Sequence, residues 1–533
     1  MKLRDIFSPE SLSLRRQRLL LLVVLLITFA VYAPSLFQTA RSDQLVYLAD
    51  VANNDGLVSI VSHTYSLDRT REFYLGNDYL LFRPVLYGLL GFEKWAFGYG
   101  FFWWQLTSLL LHLCVVWLLL KILYLKGRTI FAPLFALLFS VQYVAMNMVI
   151  WHHLSGYLLF SVFLLSSIYN LLKYEETGSP GNGIALSLFL LLAAFTYEAG
   201  SAAALLIALY MTLSRLNKRS RYGWRVIAAT CMVPVIYVSL SLIDLYAKFG
   251  NLSAIGQAAP SNLPSAILHT AGASLFWLAA GLDPALIHMK AYERLLMTIN
   301  SSLSATVIVG TVPACIFLSS SYFIARETFS REYVRKNAGF VCLVLLIMLS
   351  HAAIIVIGRV SERGFWTIMT LNPYYTYISN LLAFLALYSA MDLEGPRLRA
   401  RVMPRAGIAI SIILITAMSA VSISKANMEM LDYSRPRNRF VARLSELVQK
   451  HSGEEGFSFS VSGNCRGINI WKEADRFDSG DLRLSPDRPG NDILWLTRRG
   501  DPPGKTYTLA EALFPRWYVK SGGKYEVSCP PRQ

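Results

Sequence analysis

The feature that most constrains this chain is a recurrence of apolar runs near the ~20 residues needed to cross a bilayer. The first, from Leu19 to Phe37, contains no charged residue. Further runs lie at 99–121, 129–151, 154–172, 226–247, 303–325, 338–358, 374–391 and 406–424. The segment 183–215 has no polar loop, yet cations flank both of its ends. It therefore holds two short helices, with the turn near "TYEAGS" where Glu198 and Gly200 sit. Such a chain folds as a polytopic helical membrane protein, mainly α. Its charged fraction is 16%, against about 25% in soluble domains. The first run reads as a span rather than a removable signal, because it is long, lacks a small-residue cleavage site and is followed by many more spans.

Lys and Arg set the topology. Lys2, Arg4, Arg15, Arg16 and Arg18 precede the first span and place residues 1–18 in the cytoplasm. Lys121, Lys126 and Arg128, then Lys173, then Arg215, Lys218, Arg219, Arg221 and Arg225 mark successive returns. Arg326, Arg331, Arg335 and Lys336, and later Arg397, Arg399, Arg401 and Arg405, mark two more. The net charge of +16 is thus a topological bias, and nucleic acid is not an expected partner. Segment 264–300 either skims the outer face or crosses twice, so the transmembrane domain over 19–424 has about 11 spans, up to 13. An odd count puts the C-terminus outside.

Two polar regions interrupt the pattern. Residues 38–98 form a long first outer loop. In it "DYLLFRPVLYGLLGFEKWAFG" carries Asp78, Arg83, Glu93 and Lys94, too many charges for a clean span, and reads as an interfacial helix. From 425 to 533 the stretches "FSFSVSGNCRGINIW", "DILWLTRRG" and "KYEVSC" read as short strands of a small extracytoplasmic α/β domain. Cys465 and Cys529 lie there and form a disulfide if that domain meets an oxidising compartment. Cys114, Cys231, Cys315 and Cys342 lie in apolar runs and are expected to be inert core residues.

Asp43, Asp50, Asp55, Arg83, His152, His153, Glu198, Arg359 and Arg363 all fall on the outer side. An ionisable residue held at a span end is costly unless paired or solvated, so these are the candidates for chemistry. Asp43 stays near the bilayer surface, whereas Asp50 and Asp55 reach water.

The order of "FRPVLYGLLGFEKWAFGYGFFWWQLTSLLLHLCVVWLLLKIL", "VQYVAMNMVIWHHLSGYLL", "LLLAAFTYEAGSAAALLIALY" and "NPYYTYISN" resembles the GT-C superfamily of membrane glycosyltransferases. That group includes protein O-mannosyltransferases and the aminoarabinose transferase of lipid A. The likeness covers about residues 15–395 and departs from the family at Gln44, Tyr197 and Asn372–Pro373. It implies an inverting transferase that takes a monosaccharide from a polyprenyl-phosphate donor to a periplasmic glycan, lipopolysaccharide or protein, in a bacterial inner membrane. Asp43 is then the general base. Arg83, Arg359 and Arg363 are candidates for the donor phosphate, because guanidinium presents planar paired donors to it. Glu198 is a candidate for substrate binding, since a tight membrane turn retains a carboxylate only with a partner. His152 and His153 either contact the phosphate or acceptor or simply occupy the wet interface. Tyr374, Tyr375 and Tyr377 either line a lipid groove or serve as interfacial tyrosines. His112, in mid-span, reads as a packed neutral histidine. A divalent metal is compatible with this chemistry but required by no residue pattern. Two competing readings are an O-antigen polymerase or ligase, which places its large outer loop late, and a lipid-linked-sugar transporter or flippase, which needs polar groups at mid-membrane.

Overall fold

A computed structural model describes residues 12–38, 82–97, 101–217, 222–249, 331–359, 373–392 and 409–428, together with residues 407 and 431 and five short strands between 459 and 528. The helices, in chain order, are α1 (Leu14–Tyr32), α2 (Pro84–Phe97), α3 (Phe101–Lys126), α4 (Phe131–Ser140), α5 (Tyr143–Ile150) and α6 (Ser155–Thr177). Then come α7 (Pro180–Ala194), α8 (Ala199–Leu216), α9 (Trp224–Phe249), α10 (Arg331–Arg359), α11 (Tyr377–Ala390) and α12 (Ala409–Met428). Among the described residues seven helices are long and apolar enough to cross a membrane, or eight if α4 and α5 count as one span. The chain is a multi-pass helical membrane protein. The span expected at 303–325 and the segment 264–300 lie outside the described residues, as do most of the first loop and most of 425–533.

Local chemistry sets the helix ends. Ser13 caps α1 by accepting from the Arg16 amide at 3.4 Å. The sequence "TGSP" stops α6 and starts α7. Gly178 takes φ +68 as the left-handed cap, and Pro180 supplies the first residue of α7 with its φ already fixed. The 129–151 region is not one straight span. It breaks at Val141–Gln142, and α4 and α5 are bent by 59°. No Pro or Gly stands at that break. Instead the carbonyl of Ser140, which ends α4, accepts from Tyr32 Oη on α1 and lies 3.0 Å from His112 Nε2 on α3. Tertiary partners thus satisfy a group that a continuing helix would have used.

His112 stands at the centre of this node. Its Nδ1 meets Tyr377 Oη at 3.0 Å, and Thr28 donates to Val24 O at 2.8 Å and lies 2.8 Å from Ser140 Oγ. Thr28, Tyr32, His112, Ser140 and Tyr377 are all fully buried. The node ties α1, α3, α4 and α11 together in the apolar interior, where its groups have no water to replace lost partners. At the far end of α12, Asn427 donates to Val31 O at 3.2 Å and accepts from Gln38 at 3.1 Å. This joins α12 to the end of α1.

The bundle has two unlike ends. Leu12, before α1, donates its amide to Arg128 O, and Tyr333 on α10 donates to Lys126 O. Arg15, Arg16, Lys126, Arg128, Lys173, Arg215 and Arg335 therefore gather at one end. The opposite end holds the close of α1, the whole of α2, the start of α3 and the turn between α7 and α8. Cys114, Cys231 and Cys342 are exposed on the bundle's perimeter, not packed in its core. A span's lipid-facing side is as apolar as its buried side, so an apolar run does not report burial.

Five strands are described toward the C-terminus. β1 (Phe459–Ser462) pairs parallel with β5 (Tyr525–Ser528). β3 (Trp495–Arg498) pairs antiparallel with both β2 (Leu482–Leu484) and β4 (Tyr507–Thr508).

Candidate functional site

The end of the bundle opposite the cations carries two polar clusters, one at each end of α2. The first is built on the turn Phe195–Glu198 between α7 and α8. α7 has 15 residues, about 22 Å of helix, against a hydrocarbon core of about 30 Å. α7 is therefore shorter than a full span, and the turn follows directly on its end. Gly200 makes the turn this tight: a Cβ there would lie 2.3 Å from Ala194 N and 2.4 Å from Ala193 C. No residue with a side chain allows that approach.

Glu198 projects from this turn and receives Arg83, which immediately precedes α2. Arg83 Nε donates to Glu198 Oε1 at 3.1 Å, and Nη2 donates to Oε2 at 3.0 Å. The pair is half-buried, with side chains 18% and 24% exposed. The guanidinium also lies 4.0 Å over the Tyr197 ring, and Tyr197 stacks on Tyr157 at 4.7 Å. A carboxylate along one edge and an aromatic ring under one face fix both the plane and the direction of the guanidinium. The backbone supports the same contact: the Val85 amide donates to Phe195 O at 3.0 Å, and Phe82 packs edge-on against Phe195. Arg83 and Glu198, chosen separately from the sequence, are thus brought together.

Tyr237 on α9 completes the wall, packing against Phe82 and Phe195. Glu198, Arg83 and Asp244 are its charged neighbours. Asp244 lies two turns beyond Tyr237 on the same stripe of α9, and sequence reasoning missed it. Its signal was a lone acid closing an apolar run at helical spacing from an aromatic residue.

Of the second cluster, the sequence had singled out His152 but not its partners. Glu93, expected on an interfacial helix, is buried together with His152; both side chains are 1% exposed. Glu93 Oε2 lies 2.8 Å from His152 Nε2, and Ser108 Oγ on α3 lies 2.6 Å from His152 Nδ1. With Glu93 ionised, Nε2 carries the proton and donates to it, and Nδ1 accepts from Ser108. Trp104 meets the imidazole edge-on at 5.0 Å. Both ring nitrogens of His152 thus have partners inside the protein. No group of three or more His, Cys, Asp or Glu suited to a metal ion occurs among the described residues.

Tyr375 is buried in the turn Pro373–Thr376, which leads into α11, and Tyr377 points into the bundle toward His112. Arg359 is the last residue of α10. The side chains of His153, Arg359 and Tyr374 lie outside the described residues. So do Asp43, Asp50, Asp55, Arg363, Cys465 and Cys529.

No protein-family profile and no curated protein matches the sequence. Among solved structures, the chain is similar to the crystal structure of ArnT from Cupriavidus metallidurans bound to undecaprenyl phosphate, at 12% identity and a TM-score of 0.44, over 84% of this chain and 82% of that one.

Proposed function

We propose that this chain is a membrane glycosyltransferase that moves a monosaccharide from a polyprenyl-phosphate donor to an acceptor hydroxyl at the outer face of a plasma membrane. The observation that carries the reading is the Arg83–Glu198 pair, held on the tight turn after the short helix α7 at the end of the bundle away from the cations. A lipid-linked sugar keeps its tail in the bilayer and its phosphosugar at the interface, where an ion pair at a span end can meet it. The order of sequence motifs shared with the GT-C superfamily supports the same reading.

In this reaction the acceptor oxygen attacks the anomeric carbon and the sugar–phosphate bond breaks. The hydroxyl proton passes to a carboxylate, and the charge left on the polyprenyl phosphate meets fixed cations. Asp43 takes the proton. Arg83, oriented by Glu198 and Tyr197, supplies positive charge beside the departing phosphate, with Arg359 and Arg363 as further candidates. The acceptor is a surface glycan, lipopolysaccharide or protein.

The test is transfer in vitro from a panel of polyprenyl-phosphate sugars, followed by mass spectrometry of the product. The native chain is expected to form a glycosidic product. Asp43→Asn is expected to lose about 10²–10⁴-fold in rate. Unimpaired transfer by Asp43→Asn removes Asp43 as the base. Movement of lipid-linked sugar across vesicles with no product from any donor favours a transporter instead.

A further inference from the structure

We infer that Glu93 and His152 are positioning residues, whose buried contact sets the rotation of α2 and thereby aims Arg83 at Glu198. The inference rests on the transferase reading for its effect on rate, but its geometric part stands without it.

α2 is a short rod held at both ends. At its start the Val85 amide is tied to Phe195 O, and Arg83 reaches Glu198. About 15 Å further along the axis, Glu93 is tied to His152, which is tied to Ser108. Leu86, Leu90 and Glu93 follow i, i+4, i+7 spacing, and all three are buried. Glu93 thus closes the packed stripe of α2. Leu86 fits against Gly156, where an added Cβ would come within 2.9 Å of its side chain.

Apolar contacts on this stripe are non-directional, so leucines alone hold α2 down without choosing its rotation. A slip of one residue turns a helix by about 100°, enough to carry Arg83 away from Glu198. A carboxylate–imidazole–hydroxyl line has only one good geometry. Burying it is a poor way to gain stability and an effective way to specify register. Glu93 Oε1, which is buried without a hydrogen-bond partner, underlines this: the carboxylate is held for one of its oxygens, at a cost in the other.

The decisive variant replaces both partners with apolar residues of similar volume, Glu93→Met with His152→Leu. Such a swap leaves no unpaired buried charge, so the protein is expected to fold with an unfolding midpoint in detergent close to native. Transfer is nonetheless expected to fall about 100-fold in kcat, the scale set by misplacing a reacting group by ~1 Å. In an Arg83→Gln background the same double replacement is expected to cost no further activity, because there is no guanidinium left to aim. Glu93→Gln, which keeps a hydrogen-bonding group toward His152, is expected to recover most of the rate. Native kcat in the folded Met/Leu variant, or additive losses with Arg83→Gln, overturns the inference and leaves the transferase reading intact.

A second measurement needs no catalysis. In a chain whose six native cysteines are alanine, Arg83→Cys and Glu198→Cys are bridged by a short bifunctional thiol reagent. Bridging is expected to be fast with Glu93 and His152 present and slow in the Met/Leu background. Equal rates in the two backgrounds overturn the inference even if no donor sugar is ever found.

Discussion

Replacing Gly200 by alanine tests whether the α7–α8 turn depends on backbone contact. The added Cβ would stand 2.3 Å from Ala194 N, 2.4 Å from Ala193 C and 2.6 Å from Ala194 Cα. Carbon atoms in ordinary contact keep 3.5–4.0 Å, so each approach is roughly 1 Å too close. All three atoms are backbone of the last turn of α7, and none can rotate aside. The turn must open instead. Overpacking of this kind costs about 1–3 kcal/mol, and an opening near 1 Å lengthens hydrogen bonds that Glu198 now makes to Arg83 at 3.0 and 3.1 Å. Thermal unfolding in detergent should therefore drop by that amount, with transfer falling about 100-fold. Gly88→Ala is the control. A Cβ at Gly88, in mid-α2, meets nothing within 4 Å, so that variant should gain about 0.5–1 kcal/mol from the better helix former. Native stability and native transfer in Gly200→Ala would refute the argument that backbone contact sets this turn.

Other expectations follow from the same contacts. Tyr377→Phe strips His112 Nδ1 of its partner inside the bundle and should lower stability by about 1–3 kcal/mol without changing KM for the donor, because the node lies away from the α7–α8 turn. Gly178→Ala places a side chain at φ +68 in open space, so backbone strain alone should cost about 1–2 kcal/mol in thermal unfolding. Asn427→Leu removes the donor to Val31 O and should loosen α12 from the end of α1, read as faster proteolysis between the two in detergent.

Much of the bundle was legible because hydropathy and loop cations act locally. The α7–α8 hairpin followed from a segment too long for one span and flanked by cations at both ends. Glu198 in its turn could be read as functional on the physical ground that a carboxylate there needs a partner. The identity of that partner was not legible, because Arg83 lies 115 residues away and only the fold joins them. The Glu93–His152 contact spans 59 residues, and Glu93 looked like an interfacial charge because the buried stripe of α2 ends on it. The break at Val141–Gln142 has no Pro or Gly to mark it in the sequence, and the partners of the Ser140 carbonyl there, Tyr32 and His112, are brought in only by the fold. Cys114, Cys231 and Cys342 were misread because lipid and protein interior select the same residue types, while Cys315 lies outside the described residues.

If the Arg83–Glu198 pair works at the point of sugar transfer, disturbing it must slow the chemical step itself. Single-turnover transfer by Glu198→Gln in proteoliposomes tests it most directly. Gln keeps the shape and one acceptor but removes the charge that holds the guanidinium. The expected rate is lower by about 100-fold, with stability changed by no more than the loss of charge-assisted bonds, about 1.5–3 kcal/mol. A Glu198→Gln variant that transfers sugar at the native single-turnover rate would contradict it.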